Sequence, residues 1–121
     1  MAKSRTAAIR RANGTVVCDS CLVADSPLLR LRGLLGRSPL LAGEGLLLSP
    51  TRSIHTCFMR FPIDVVFLDR DWRVIHIARE IMPWRSAAAR RARAVLEIRA
   101  GDAARRGLEV GDVLELERPH R

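Results

Sequence analysis

Ile63-Asp64-Val65-Val66-Phe67-Leu68-Asp69-Arg70-Asp71-Trp72-Arg73-Val74-Ile75-His76-Ile77-Ala78-Arg79-Glu80-Ile81 is the stretch on which the fold turns. Two apolar runs of strand length, Ile63 to Leu68 and Val74 to Ile81, flank the polar segment Asp69 to Trp72. That pattern predicts an antiparallel hairpin, because β-branched residues suit a pleated surface and Asp-rich segments suit tight turns. The segments on either side keep the same strand-like character.

Upstream, Leu46 to Leu48 and Ile54 to Met59 read as strands, each bounded by Pro, Ser or Asp, and Thr15 to Ala24 reads as an earlier one. Downstream, Ala94 to Ile98 and Val113 to Leu116 complete the set, while Ser86 to Arg93, rich in Ala and Arg, reads as an exposed loop. Helix is expected mainly over Pro27 to Leu35. There Ser26 can cap, Pro27 fits the first helical position, Leu28, Leu31 and Leu35 recur at helical spacing, and Gly36 can end the element. A second short turn is expected near Ala103, with Asp102 as its cap and Gly107 closing it in a left-handed conformation. Gly43-Glu44-Gly45 reads as turn chemistry. The fold class that follows is mainly β, with at least six strands: a compact antiparallel β-sandwich or barrel-like domain with one or two short helices.

At 121 residues, with 48% hydrophobic and 28% charged residues, the chain suits one folded core rather than a disordered segment. Residues 1–13, with Lys3, Arg5, Arg10 and Arg11, are expected to form a basic disordered tail ahead of a single globular domain over 14–118. No apolar run reaches the roughly 20 residues a spanning helix needs, and the amino terminus lacks the apolar segment of a secretory signal. Three cysteines are too few for a disulfide framework. Together these place the expected location in the cytoplasm, with no membrane span. The net charge of +8 invites a nucleic-acid reading, but the cations are nearly all arginine, spread along the chain, and aromatics make up only 4%. Nucleic acid is therefore not expected as a partner.

Three stretches together carry a family resemblance: Arg32-Gly33-Leu34-Leu35-Gly36-Arg37, then Gly43-Glu44-Gly45-Leu46, then Ile54-His55-Thr56-Cys57-Phe58-Met59-Arg60-Phe61-Pro62-Ile63-Asp64-Val65-Val66-Phe67-Leu68-Asp69. With Ala94 to Ile98, Ala100-Gly101 and Gly107 to Asp112 following in order, the chain resembles the domain of unknown function 192 family from Thr15 to Leu116. The resemblance implies a mostly β, sandwich-like domain and no established activity.

Chemistry is then sought among polar residues set in apolar elements. His55 and Cys57, two apart in one run, would share a strand face, and His55 could bind a ligand or move a proton near neutral pH. Asp64, opening a very apolar strand, must be paired or hydrogen-bonded, and Glu97 interrupts Val95, Leu96 and Ile98 and is expected to face solvent by alternation. Arg32 could pair with either carboxylate or hold an anion in its planar fork. Met59 could pack in the core or line a site, and Trp84 could stand at a pocket rim. Arg32, His55, Asp64 and Glu97, with Met59 and Trp84, are expected to gather at one partly open polar cleft. Cys18-Asp19-Ser20-Cys21 has a metal-like spacer, but in an extended strand its two thiols would point to opposite faces, so no metal and no cofactor are expected. No nucleophile elbow and no phosphate-cradling glycine loop is present.

The function that follows is a small binding or accessory domain with a polar cleft for a small-molecule or polypeptide ligand. The competing classes are an enzyme, such as a hydrolase, using His55 for acid/base chemistry, and a nucleic-acid-associated basic protein. An enzyme requires His55 beside a second polar group in a concave site, whereas a nucleic-acid binder requires its arginines on one face.

Overall fold

The computed structural model describes residues 5–24, 42–55 and 61–117. They form nine strands and one short helix: β1 (Arg5–Arg11), β2 (Val16–Ala24), β3 (Glu44–Leu48), β4 (Ser53–His55), β5 (Ile63–Leu68), β6 (Val74–Ile81), β7 (Ser86–Ala88), β8 (Ala94–Arg99), α1 (Asp102–Arg105) and β9 (Leu114–Glu117). Seven of the strands make one sheet in the order β6-β5-β8-β3-β2-β1-β9, and β4 and β7 pair separately. Every pairing is antiparallel except β2 with β3. The expected mainly β, barrel-like architecture is the one observed.

The hairpin of β5 and β6 organises this sheet. All six residues of β5 are buried, because the strand lies between β6 and β8 and both faces of the sheet are covered there. In the connecting turn, Asp69 Oδ1 accepts from the backbone N–H groups of Asp71 and Arg73, at 2.8 and 3.0 Å. The sheet curls until its two edge strands approach each other. An isolated bridge joins Arg73 to Val113, and Leu114 N donates to Trp72 O at 2.9 Å, which closes a half-barrel.

Two apolar clusters follow from the curl. Inside it lie Ile9, Val17, Cys18, Cys21, Leu47, Val66, Leu68, Leu96, Ile98, Ala103, Leu108 and Leu114. On the other face Leu46, Leu48, Val65, Phe67 and Val95 meet Ile54, Phe61 and Ala92, with Ala87 and Ala89 against them. Strand alternation feeds both clusters from the same strands: on β8, Ala94, Leu96 and Ile98 serve one and Val95 the other.

Four local expectations change. From Arg5 the basic tail is a strand, since Ala7 and Ile9 bury themselves on the inner cluster while Arg10 pairs with Glu117 of β9. Part of the loop from Ser86 to Arg93 is β7, whose small Ala87 packs inward opposite Ile54. Asp102 does not cap α1. The cap is Gly101, at φ 89° with no side-chain hydrogen bond, and Asp102 is the first helical residue. The far end is as expected: Gly107 is left-handed at φ 68°, its N–H reaches Ala104 O, and Leu108 N reaches Ala103 O. Finally, Gly45 is more than turn chemistry. It lies in β3, where an added Cβ would stand 2.8 Å from Cys18 Sγ and 2.9 Å from Glu97 O. The expected helix over Pro27 to Leu35 lies outside the described residues.

Candidate functional site

The motif carboxylates separate. In the pairing of β5 with β8, Asp64 is opposite Ile98 and Val65 is opposite Glu97, so the two acids point to opposite faces of one sheet. Asp64 is fully buried on the inner face, and its carboxyl is saturated by backbone: Oδ1 accepts from Glu80 N at 2.8 Å, Oδ2 from Gly101 N at 3.1 Å and Ala103 N at 3.0 Å. Glu80 sits in a bulge of β6 at φ 51°, and Gly101 precedes α1. Asp64 therefore fastens two irregular backbone segments to the sheet centre. It belongs to no cleft with Glu97, because a one-residue offset in a strand reverses the side chain.

Glu97 is only 4% exposed, against the expectation that alternation would turn it to solvent. Alternation does turn it away from the inner cluster, but the second apolar cluster covers that face, with Leu46 and Val65 as its cross-strand neighbours. Its Oε2 has no hydrogen-bond partner among the described residues. Burial without compensation pushes its pKa up to about 8, so it holds a proton at neutral pH.

Cys18 and Cys21 are both buried free thiols in the inner cluster, on one side rather than on opposite faces. The cause is a bulge: Ala7 pairs with Cys21 and Ile9 with Cys18, so β2 spends three residues where β1 spends two. Cys18 Sγ donates to Gly43 O at 3.3 Å. The hydrogen bond from Cys18, followed by burial, pushes the Cys21 thiol far above the ordinary range, the opposite of a reactive cysteine. Among the described residues no group of three or more His, Cys, Asp or Glu could hold a metal ion.

His55 ends β4 in register with Ser86, and its side chain lies outside the description. Arg32, Cys57 and Met59 lie outside the described residues. Trp84 is described and is 58% exposed, in a turn at φ 66°, but it does not line the cavity found below. One buried acid escaped the sequence reading as a partner. Asp102, 2% exposed, binds Arg99 Nε at 3.3 Å and Arg105 at 2.8 Å, and Gly43 N donates to it at 3.4 Å. The signal available was an Asp flanked at three residues on either side by Arg99 and Arg105.

An open cavity among the described residues lies elsewhere, at the end of the sheet where β3 and β5 finish and β8 begins. It holds about 960 Å³ and is lined by Pro50 to Ser53, Asp69 to Asp71 and Arg90 to Arg93, three connections that meet because their strands are neighbours. Thr51 N donates to Arg93 O at 3.0 Å, Arg93 N to Leu68 O at 2.7 Å, and Ala89 N to Arg52 O at 3.0 Å, which ties the three together. Five arginines surround it: Arg52, Arg70, Arg90, Arg91 and Arg93, all exposed. None of the five guanidinium groups has an acidic partner among the described residues, unlike Arg10, Arg11, Arg99, Arg105 and Arg106. Asp69 is occupied by the hairpin turn, leaving Asp71 as the exposed acid of the rim.

A family model, that of DUF192, described as an uncharacterised group, matches residues 8–116. The chain belongs to the DUF192 family. A UPF0127 protein of Pyrococcus horikoshii is 39% identical over 79 residues, covering 62% of this chain and 68% of that protein. A protein of unknown function from Novosphingobium aromaticivorans has a similar crystal structure, with a TM-score of 0.77 at 28% identity over 93% of this chain and 84% of that one. A candidate transcription regulator from Sinorhizobium meliloti superposes with a TM-score of 0.81 at 23% identity, covering 94% of each chain, and shows the DUF192 fold alone. No specific activity comes with the DUF192 family. Among the described residues no helix is long and apolar enough to cross a membrane.

Proposed function

We propose that this DUF192 protein is a binding domain for a negatively charged ligand, held at the arginine-lined end of the half-barrel. The observation that carries this reading is the meeting, around one open cavity, of five guanidinium groups with no acidic partner among the described residues. Five arginines gathered against only two aspartates, Asp69 and Asp71, repel one another, and an anion removes that repulsion while using the planar forks. The three linked connections hold the group together on strand ends that are otherwise fully buried, so the scaffold is stiff while the side chains are free. A ligand-binding domain agrees with the reading of the sequence, and the site proposed here is the strand ends, because Arg32, Met59 and the His55 side chain lie outside the described residues.

Calorimetry with inorganic tripolyphosphate tests the reading. The wild type should bind it, and the variant Arg90→Gln/Arg91→Gln/Arg93→Gln should bind at least tenfold more weakly. Equal affinities for the two proteins, or no binding to either, would overturn it.

A second reading rests on Glu97. A buried carboxyl with a pKa near 8 has the proton affinity of a general acid or base at neutral pH, which supports acid/base catalysis on the outer face of the sheet. It would leave Glu97→Gln folded but without turnover of any substrate found.

A further inference from the structure

We infer that the arginine-lined end binds the phosphate backbone of duplex nucleic acid, without reading its sequence. The inference rests on the anion-binding reading above and names its ligand. Four features of the cavity choose the ligand class.

Arg52, Arg70, Arg90, Arg91 and Arg93 are all exposed at the mouth, on three different connections. Fixing five long, solvated side chains on one small anion costs rotamer freedom for each. A polymer with a phosphate for about every 1.7 Å of duplex axis needs no such convergence, and the counterions it releases supply the driving force. None of the described residues that line the cavity is aromatic, so they offer single-stranded bases nothing to stack on, whereas a backbone contact needs none. Among the described residues the lining comes from three connections, with Ser53 at the start of β4, and connections of this kind can touch phosphates without entering a groove to read base edges. Lastly, Asp71 stands on the rim among these arginines, so the surface is not uniformly positive. A backbone that can shift along the duplex places its phosphates on the arginines and leaves the carboxylate aside.

The sequence shows Arg90, Arg91 and Arg93 close together in one Arg-rich segment, but not that Arg52 and Arg70 would join them. The folded chain pairs Arg10, Arg11, Arg99, Arg105 and Arg106 with Glu117, Asp112, Asp102 and Asp19, and leaves the five arginines of the three connections without an acidic partner among the described residues. Arg73 and Arg79, away from the cavity, donate instead to the backbone carbonyls of Gly111 and Leu108, so the criterion of arginines on one face applies to the five around the cavity and not to the whole set.

Fluorescence anisotropy with a labelled 20-base-pair DNA duplex, titrated between 50 and 200 mM KCl, tests the inference. If all five arginines contact phosphate, log K should fall against log salt with a slope of about −4.5, which is roughly a 500-fold loss of affinity over that range. Arg90→Gln/Arg91→Gln/Arg93→Gln removes three of the five contacts, so the slope should shrink to about −1.8 and the loss to roughly 12-fold. The control variant Arg10→Gln/Arg79→Gln/Arg106→Gln removes the same charge away from the cavity and should keep a slope near that of the wild type. Asp71→Asn should tighten binding.

Equal effects of the two triple variants would show diffuse charge attraction and overturn the inference. Equal affinity for polyglutamate and for the duplex would overturn it in favour of an acidic polypeptide. Tripolyphosphate bound at the arginines with no duplex binding would overturn it while leaving the anion-binding reading intact. Circular dichroism melting curves verify that both variants are folded.

Discussion

Replacing Glu97 by Gln should make the protein more stable at alkaline pH and remove a pH dependence that the wild type carries. The carboxyl sits on β8 between Leu46 and Val65 of the neighbouring strands, 4% exposed, with Oε2 unpartnered among the described residues. Burial raises its pKa from 4.5 to about 8. Below pH 4.5 the folded and unfolded chains both hold the proton, and the folded state keeps its full stability. Between 4.5 and about 8 only the folded chain holds it, so stability falls as pH rises, by about 1.4 kcal/mol per unit. Above pH 8 both forms are ionised and the loss is complete, at about 5 kcal/mol as an upper figure for a carboxyl that cannot relax toward water. Glutamine has nearly the same shape and does not titrate, so its profile lacks this descent. Urea denaturation of both proteins at pH 5, 6, 7, 8 and 9 measures the difference directly, because other titrating groups cancel. The two should agree within about 1 kcal/mol at pH 5 and diverge in favour of Glu97→Gln by about 3 to 5 kcal/mol at pH 9. Parallel profiles would refute the reasoning. So would a wild type that gains on the variant as pH rises, since that behaviour belongs to an ion-paired carboxylate.

Three further outcomes are expected. Asp64→Ala leaves the N–H groups of Glu80, Gly101 and Ala103 without their acceptor in a buried site and should lower stability by about 3 kcal/mol or more, read from the urea midpoint; a loss below 1 kcal/mol would show that Asp64 does not fasten these segments. Gly45→Ala places a methyl group against Cys18 Sγ and the Glu97 carbonyl and should cost about 1 to 3 kcal/mol, whereas Gly14→Ala, with open space around it but φ 96°, should cost less. Cys18 and Cys21 should resist alkylation in the native protein and react in urea, as mapped by peptide mass spectrometry; modification of Cys21 at native rates equal to those in urea would contradict a thiol held protonated in the core.

Much of the architecture was legible in the sequence because strand period is a local property. Ile63 to Leu68 and Val74 to Ile81 announce a hairpin by their own composition, and the turn between them is built from its own Asp69. The family motif likewise picked out Asp64 as an acid that must be satisfied, and its three backbone donors satisfy it. What the sequence did not carry was the face on which each side chain would fall and what would cover that face. A single extra residue in β2 places Cys18 and Cys21 together, and a one-residue offset between β5 and β8 divides Asp64 from Glu97. Bulges and register depend on partners distant in the chain, so a period-two pattern cannot reveal them.

By itself the sequence determined the family, the mainly β class, the central hairpin and the need to satisfy Asp64. Only the tertiary structure decided that Arg5–Arg11 is a strand, that Glu97 is buried, and that five arginines from three connections share one cavity. The physical reason is common to all three. Hydrophobic period and turn chemistry act within a few residues. Burial and charge clustering arise from strand order, which brings β3, β5 and β8 side by side although they are far apart in the chain, and so sets their connections around one opening.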